Sequence, residues 1–294
     1  MSSQASIEEF RTEIGGAVLG GLRARPPGPD RGLVIALHGG GYDARYWHHP
    51  GLDDASLLWL GASLGFEIVA LDRPGYASSA AGWPNGQSLL AQAESIFAMV
   101  DAAASGDRPI FLIGHSMGGI LALMMGADAR GARLSGIDVS GVPLSYSAER
   151  QAAMRAALEP VIASGATHLP ANPPAQRRAM FFGAGGSFEA RAVARGDTEH
   201  PVPVAELPDA LECPEILPPL LARIQAPVQW TIAEAENSSE GGPAVLAQAA
   251  RLLERSRRVA TSIQVASGHN ISLHHVARAY HLRAFAFFEE CLAA

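Results

Sequence analysis

Short apolar runs alternate along this chain with longer stretches of helical periodicity. Runs at 33–37, 67–71, 110–113 and 134–139 have the length and aliphatic content of buried strands, and residues 88–104 carry the spacing of an amphipathic helix. The same alternation returns late in the chain, with a strand at 228–233, a helix opening on Pro243 at 243–256, a strand at 259–266 and a closing helix at 273–292. Strands separated by crossover helices predict an α/β fold: a mostly parallel, twisted sheet with helices on both faces. The glycine-rich apolar stretch at 14–24 predicts one or two antiparallel edge strands ahead of it.

Residues 143–225 break the pattern. They are rich in proline and poor in strand-like runs, with helix candidates at 148–163 and 176–182 flanking Pro170-Ala171-Asn172-Pro173-Pro174. The expected organisation is therefore a core of residues 1–142 and 226–294 interrupted by a helical cap at 143–225. Loops leaving the carboxyl ends of parallel strands carry the ligand site in open α/β sheets, so an excursion after a strand ending near Ser140 is placed to act as a lid. A helical decoration without substrate contact is the alternative.

Composition narrows the partners. Of 294 residues, 48% are hydrophobic and 17% charged, which argues against disorder, and a net charge of −7 argues against nucleic acid. Cys213 and Cys291 lack metal-ligand spacing, and His48-His49 lacks further ligands, so neither a metal nor a cofactor is expected. The polar stretch at 1–10 and the lack of a long apolar run predict a soluble, cytoplasmic protein that acts on a small molecule without a membrane partner. Oligomeric state is left open.

The candidate chemistry centres on Gly114-His115-Ser116-Met117-Gly118, which falls between an apolar strand and a helix-like run. Glycines two before and two after a serine permit a strained turn that pushes the hydroxyl outward, while the following helix aims free N–H groups at the same point. Serine needs a general base, and the base needs an orienting carboxylate. His269, directly after the last strand, is the expected base. Glu236, past the end of the 228–233 strand, is the first choice for the acid, with Glu234 second and Asp138 third. An oxyanion requires two donors: the N–H of Met117, and that of Gly40 or Gly41 in the run Leu37-His38-Gly39-Gly40-Gly41-Tyr42. Tyr42 and His115 are candidate pocket residues. Tyr46, Trp47, His48 and His49 either extend an aromatic pocket or pack in the core. Phe181, Phe182, Phe188, Met154 and Met180 are candidates for the underside of a lid.

His38-Gly39-Gly40-Gly41, Asp72-Arg73-Pro74-Gly75-Tyr76-Ala77-Ser78-Ser79, Gly114-His115-Ser116-Met117-Gly118-Gly119, the insertion and a late Gly268-His269 together resemble the α/β-hydrolase superfamily over nearly the whole chain from about residue 12. The resemblance implies a triad of Ser116, His269 and an acidic residue, an oxyanion hole of Gly40 or Gly41 with Met117, and a structural turn at 72–75. The family usually places aspartate where Glu236 falls. Serine at the elbow disfavours epoxide and carbon–halogen chemistry. Members with serine cleave esters, thioesters, amides or carbon–carbon bonds, and the expectation is a serine hydrolase or acyltransferase on a small to medium, largely apolar ester or thioester, with a non-hydrolytic biosynthetic catalyst or binding module on the same scaffold as the alternative.

Overall fold

Period-two alternation divides each central strand between two helical layers. The structure is a computed structural model that describes residues 6–103, 106–183, 187–194 and 198–293; the start of the polar 1–10 stretch and the last residue of the predicted 88–104 helix lie outside them. In β3 (Leu33–Leu37), β4 (Glu67–Leu71) and β5 (Ile110–His115), residues Leu33, Ile35, Val69 and Leu112 face one core cluster. Their neighbours Val34, Ala36, Ile68 and Phe111 face another. The first cluster is covered by α2 (Leu89–Ala103), α3 (Met117–Ala127), α8 (Cys213–Leu221) and α9 (Pro243–Leu252), and the second by α1 (Leu57–Ser63) and α10 (Ala277–Leu292). This two-sided burial explains why the strands read as continuous apolar runs.

The remaining strands of the sheet are β1 (Ile7–Ile14), β2 (Ala17–Ala24), β6 (Gly136–Ser140), β9 (Val228–Ala235) and β10 (Val259–Gly268), in the order β1-β2-β4-β3-β5-β6-β9-β10. Ladders from β4 to β10 are parallel, whereas β1 and β2 form an antiparallel edge. The carboxyl ends of β3, β5, β6, β9 and β10 therefore share one rim.

Between β6 and β9 the chain forms α4 (Ala148–Ala163), the two-residue strands β7 (His168–Leu169) and β8 (Val202–Pro203), α5 (Pro174–Arg177), α6 (Ala190–Ala194) and α7 (Leu207–Leu211), then α8. The helix expected at 176–182 is instead a short α5 followed by a π-helical turn, Arg178–Phe182, that ends at Gly183 with φ +65°. The wider turn sends Phe182 into the core and leaves Phe181 on the opposite side. The closing helix begins at Ala277 rather than 273, because Ile271–Leu273 form a 3-10 turn. Both cysteines are free thiols. No helix among the described residues is long and apolar enough to cross a membrane.

Candidate active site

Ser116 is the single residue between β5 and α3, and its backbone is forced to φ +52°. A non-glycine residue in that region carries about 1–3 kcal/mol of strain, held here by hydrogen bonds on both sides. The Ser116 N–H donates to the Ser140 carbonyl at 2.8 Å, and the Ser116 carbonyl accepts from Gly119 and Ile120 at 2.9 Å each. The flanking glycines are sterically required. A Cβ on Gly118 would sit 2.2 Å from the Leu37 carbonyl oxygen, and one on Gly114 would sit 2.4 Å from that of Gly118. The Ser116 hydroxyl makes no hydrogen bond to any described residue and opens on a cleft of about 640 Å³.

The glycine run after β3 packs against this turn. A Cβ on Gly39 would lie 3.3 Å from the Ser116 Cβ, and one on Gly40 would lie 3.3 Å from the Met117 Cγ. As the first residue of α3, Met117 has no intrahelical acceptor for its N–H. The N–H of Gly40 is likewise without a partner among the described residues, whereas Gly41, at φ +80°, donates its N–H to the Tyr76 hydroxyl at 3.4 Å. All of Gly40, Gly41, Tyr42, Ser116 and Met117 line the cleft.

His269 follows the last residue of β10, and its Nδ1 donates to the two carboxylate oxygens of Glu236 at 2.9 and 3.0 Å. Both side chains are buried, at 3% and 1% exposure. Two strand extensions bring them together. β9 runs to Ala235, two residues past the predicted end, and β10 reaches Gly268 through a register shift at Ala266, whose φ is +53°. Glu234 is spent on that irregularity: it is exposed, and its Oε2 accepts from the Ala266 N–H at 2.9 Å. Asp138 lies within the sheet, fully buried, bonded to Gln229 Nε2 at 2.6 Å and to the Tyr280 hydroxyl at 2.5 Å. Of the three carboxylates, the structure places only Glu236 against His269.

The imidazole of His269 lies between His115, at a 4.7 Å ring separation, and Phe181, at 5.4 Å. His115, the chain neighbour of Ser116, is buried outside the cleft lining. It bonds Ser140 Oγ at 3.1 Å and Asn270 Oδ1 at 3.2 Å, and Asn270 Nδ2 donates to the Tyr42 hydroxyl at 2.7 Å. Burial first, and the adjacent His269 second, hold the His115 pKa well below 6.5. A neutral ring there adds no second positive charge when its neighbour is protonated. Burial likewise pushes Tyr42 up to about 12.

Several contributors were not apparent from sequence. Gly141, at φ +60°, admits both imidazoles: a Cβ there would lie 2.9 Å from His269 Cε1 and 3.0 Å from His115 Cε1. Its only sequence signal is a glycine directly after a strand. Arg150 on α4 donates to the Ser238 carbonyl at 3.0 Å, and the Ser238 N–H donates to Glu236 Oε1 at 2.8 Å, so the chain after β6 braces the acidic loop. Met154, Met180 and Phe181 line the cleft, whereas Phe182 packs on Phe188 and His274. Tyr46 and Trp47 are buried in the core. No group of three histidine, cysteine, aspartate or glutamate side chains among the described residues is arranged to hold a metal.

A model of the alpha/beta hydrolase family matches residues 34–282, from β3 to within α10. The chain belongs to the α/β hydrolase family. Phospholipase YtpA of Bacillus subtilis is 30% identical over 110 residues, which is 37% of this chain and 39% of that protein's length. Among solved structures, a thermostable carboxyl esterase from Bacillus coagulans superposes with a TM-score of 0.72 at 17% identity, covering 98% of this chain and 99% of that one. A monoacylglycerol lipase from Paleococcus ferrophilus gives 0.66 at 20% identity, covering 98% of each. At these identities the structural likeness speaks for the fold. The chain spans well under half the length of that phospholipase relative.

Proposed function

We propose that this α/β hydrolase is a serine-dependent carboxylic ester hydrolase, acting on an ester or thioester of a small to medium, largely apolar acyl group. Ser116 is the nucleophile, His269 the general base and Glu236 the orienting acid. The observation that carries this reading is the bidentate Glu236–His269 pair, buried at the rim where Ser116 presents an unbonded hydroxyl. Glu236 fixes the proton on Nδ1, which leaves Nε2 as the basic nitrogen. Glu236 stands directly after the end of β9, where the resemblance implied an aspartate. Contacts between nucleophile and base commonly tighten only with substrate bound, so the hydroxyl turns to the imidazole as the acyl carbonyl arrives.

The reaction begins when Ser116 Oγ attacks the carbonyl carbon and its proton passes to His269. Negative charge develops on the carbonyl oxygen, and the unpartnered N–H groups of Gly40 and Met117 are the donors for it. His269 then returns the proton to the departing alcohol or thiol, leaving an acyl-serine. Water, or an acceptor hydroxyl or amine in the transferase variant, completes the cycle by the reverse path.

The cleft volume suits a small-molecule ligand, and Ile120, Met154, Leu158, Met180, Phe181 and Leu207 give it an apolar wall. Residues 143–225 act as the cap, and their side chains supply most of that wall. The similarity to a phospholipase, a carboxyl esterase and a monoacylglycerol lipase fits the same chemistry. Ser116→Ala tests the reading: turnover of model esters and the burst of leaving group should both vanish while the thermal midpoint holds. Retained turnover would overturn it.

A further inference from the structure

The turn at 72–79 is more than a connection, because it carries a buried charge. Arg73 and Glu206 form an ion pair in which both side chains are fully buried, with Arg73 Nη1 at 2.5 Å and Nη2 at 3.3 Å from the carboxylate. Arg73 also donates through Nε to the His38 carbonyl at 2.9 Å and through Nη1 to Gln92 Oε1 at 2.9 Å. The Arg73 N–H meets His38 Nε2 at 3.1 Å. Glu206 Oε1 accepts from the Tyr76 hydroxyl, and Oε2 accepts from Gln92 Nε2 at 3.0 Å.

Two contacts converge on Gly41. Its N–H donates to the Tyr76 hydroxyl, which in turn donates to Glu206, and its carbonyl accepts from the His200 N–H at 2.9 Å. Glu206 and His200 both come from the chain between β6 and β9, so that segment holds the Gly41 carbonyl directly and its N–H through the Tyr76 hydroxyl. The adjacent Gly40 keeps its N–H unengaged, and a Cβ there would lie 3.8 Å from Glu206 Oε1. A buried ion pair gains little stability over an apolar replacement, which directs attention to what it positions.

We propose that Arg73, Tyr76 and Glu206 are positioning residues for the oxyanion loop: the Glu206 carboxylate, acting through the Tyr76 hydroxyl, occupies the Gly41 N–H and so turns the Gly40 N–H toward the reacting carbonyl. This rests on the Ser116 reading above. It makes the cap a part of the catalytic geometry, since displacing 199–206 breaks the His200 bond to the Gly41 carbonyl and takes from the Tyr76 hydroxyl the carboxylate that orients it.

The test is Tyr76→Phe, which deletes one hydroxyl and keeps the ring on His38 and Arg73. Deleting a whole oxyanion donor lowers kcat by about 100- to 1,000-fold. Misaiming one should lower it by about 10- to 100-fold. KM should stay within about threefold, and the Ki of a trifluoromethyl ketone that mimics the tetrahedral intermediate should rise in parallel with the loss of kcat/KM. Phe288→Leu, in the second core cluster away from the glycine loop, is the stability control: it should lower the thermal midpoint with kcat within about twofold of the parent. If Tyr76→Phe does not fold, Glu206→Gln, which keeps an acceptor oxygen, is read for the same split. A variant that is less stable but turns over normally, with unchanged Ki, overturns the proposal. Ser116→Ala assayed alongside separates the two levels: activity surviving that change sinks the serine mechanism, whereas its loss beside a normal Tyr76→Phe sinks only the positioning role.

Discussion

Asp138→Asn should make this protein more stable at neutral pH and leave its catalysis intact. The Asp138 carboxyl is fully buried within β6, and burial raises its pKa from 3.8 to about 6 against the opposing hydrogen bonds from Tyr280 and Gln229. A folded-state value above the unfolded one means that the folded chain binds the proton more tightly. The stabilisation is therefore complete below about pH 3.8 and is lost as the pH climbs through 6. At about 1.4 kcal/mol per pH unit of difference, ionising Asp138 costs the fold about 3 kcal/mol by pH 7. Asparagine imitates the protonated carboxyl: its oxygen accepts from one partner, and its amide donates to the Tyr280 oxygen. Urea unfolding at pH 4 and pH 7.5 measures the effect. Parent and variant should be equally stable at the lower pH, with the variant ahead by up to about 3 kcal/mol at the higher one. Equal stability at both values, or a variant without esterase activity, would refute the assignment of Asp138 to a structural network.

Glu236→Gln should lower kcat by about 1,000- to 10,000-fold through loss of the correct imidazole tautomer, while Glu234→Gln stays within about twofold; steady-state kinetics on one model ester compares them directly. Gly118→Ala drives a methyl group into the Leu37 and His38 carbonyls, at 2.2 and 2.5 Å, and should cost about 3 kcal/mol or more, read as a fall in urea midpoint. Leu158→Trp fills part of the cleft wall and should shift the preferred acyl chain toward shorter esters across a chain-length panel, with the turnover of acetyl esters nearly unchanged.

The central strands were legible because two-sided burial leaves no polar positions to confuse the pattern: β3 and β4 have the predicted limits, and α4 does too. The missed helix α1 has the apolar sequence LLWLGAS, buried over most of its turn, so its periodicity carries no polar face to mark it. Strand ends were harder. β10 continues past the expected end at Ala266 to Gly268 through an irregularity that depends on a side chain from another strand, Glu234, and no local pattern encodes that pairing. The elbow was legible from its own residues, since Gly114 and Gly118 are needed within five positions of one another. Ranking Glu236 first followed from strand-end reach, and the structure pairs that residue with His269. The Arg73–Glu206 pair was beyond reading: its partners are far apart in sequence, and a buried glutamate in a proline-rich segment looks like any surface charge.

In the proposed mechanism the His269–Glu236 pair activates Ser116 at the rim of the sheet, and peptide mapping after brief exposure to a fluorophosphonate reads that activation. A single adduct on the peptide containing Ser116, formed at a rate that falls at least about 100-fold in His269→Ala, is the predicted result. An adduct on another residue, or a labelling rate indifferent to His269, would contradict it.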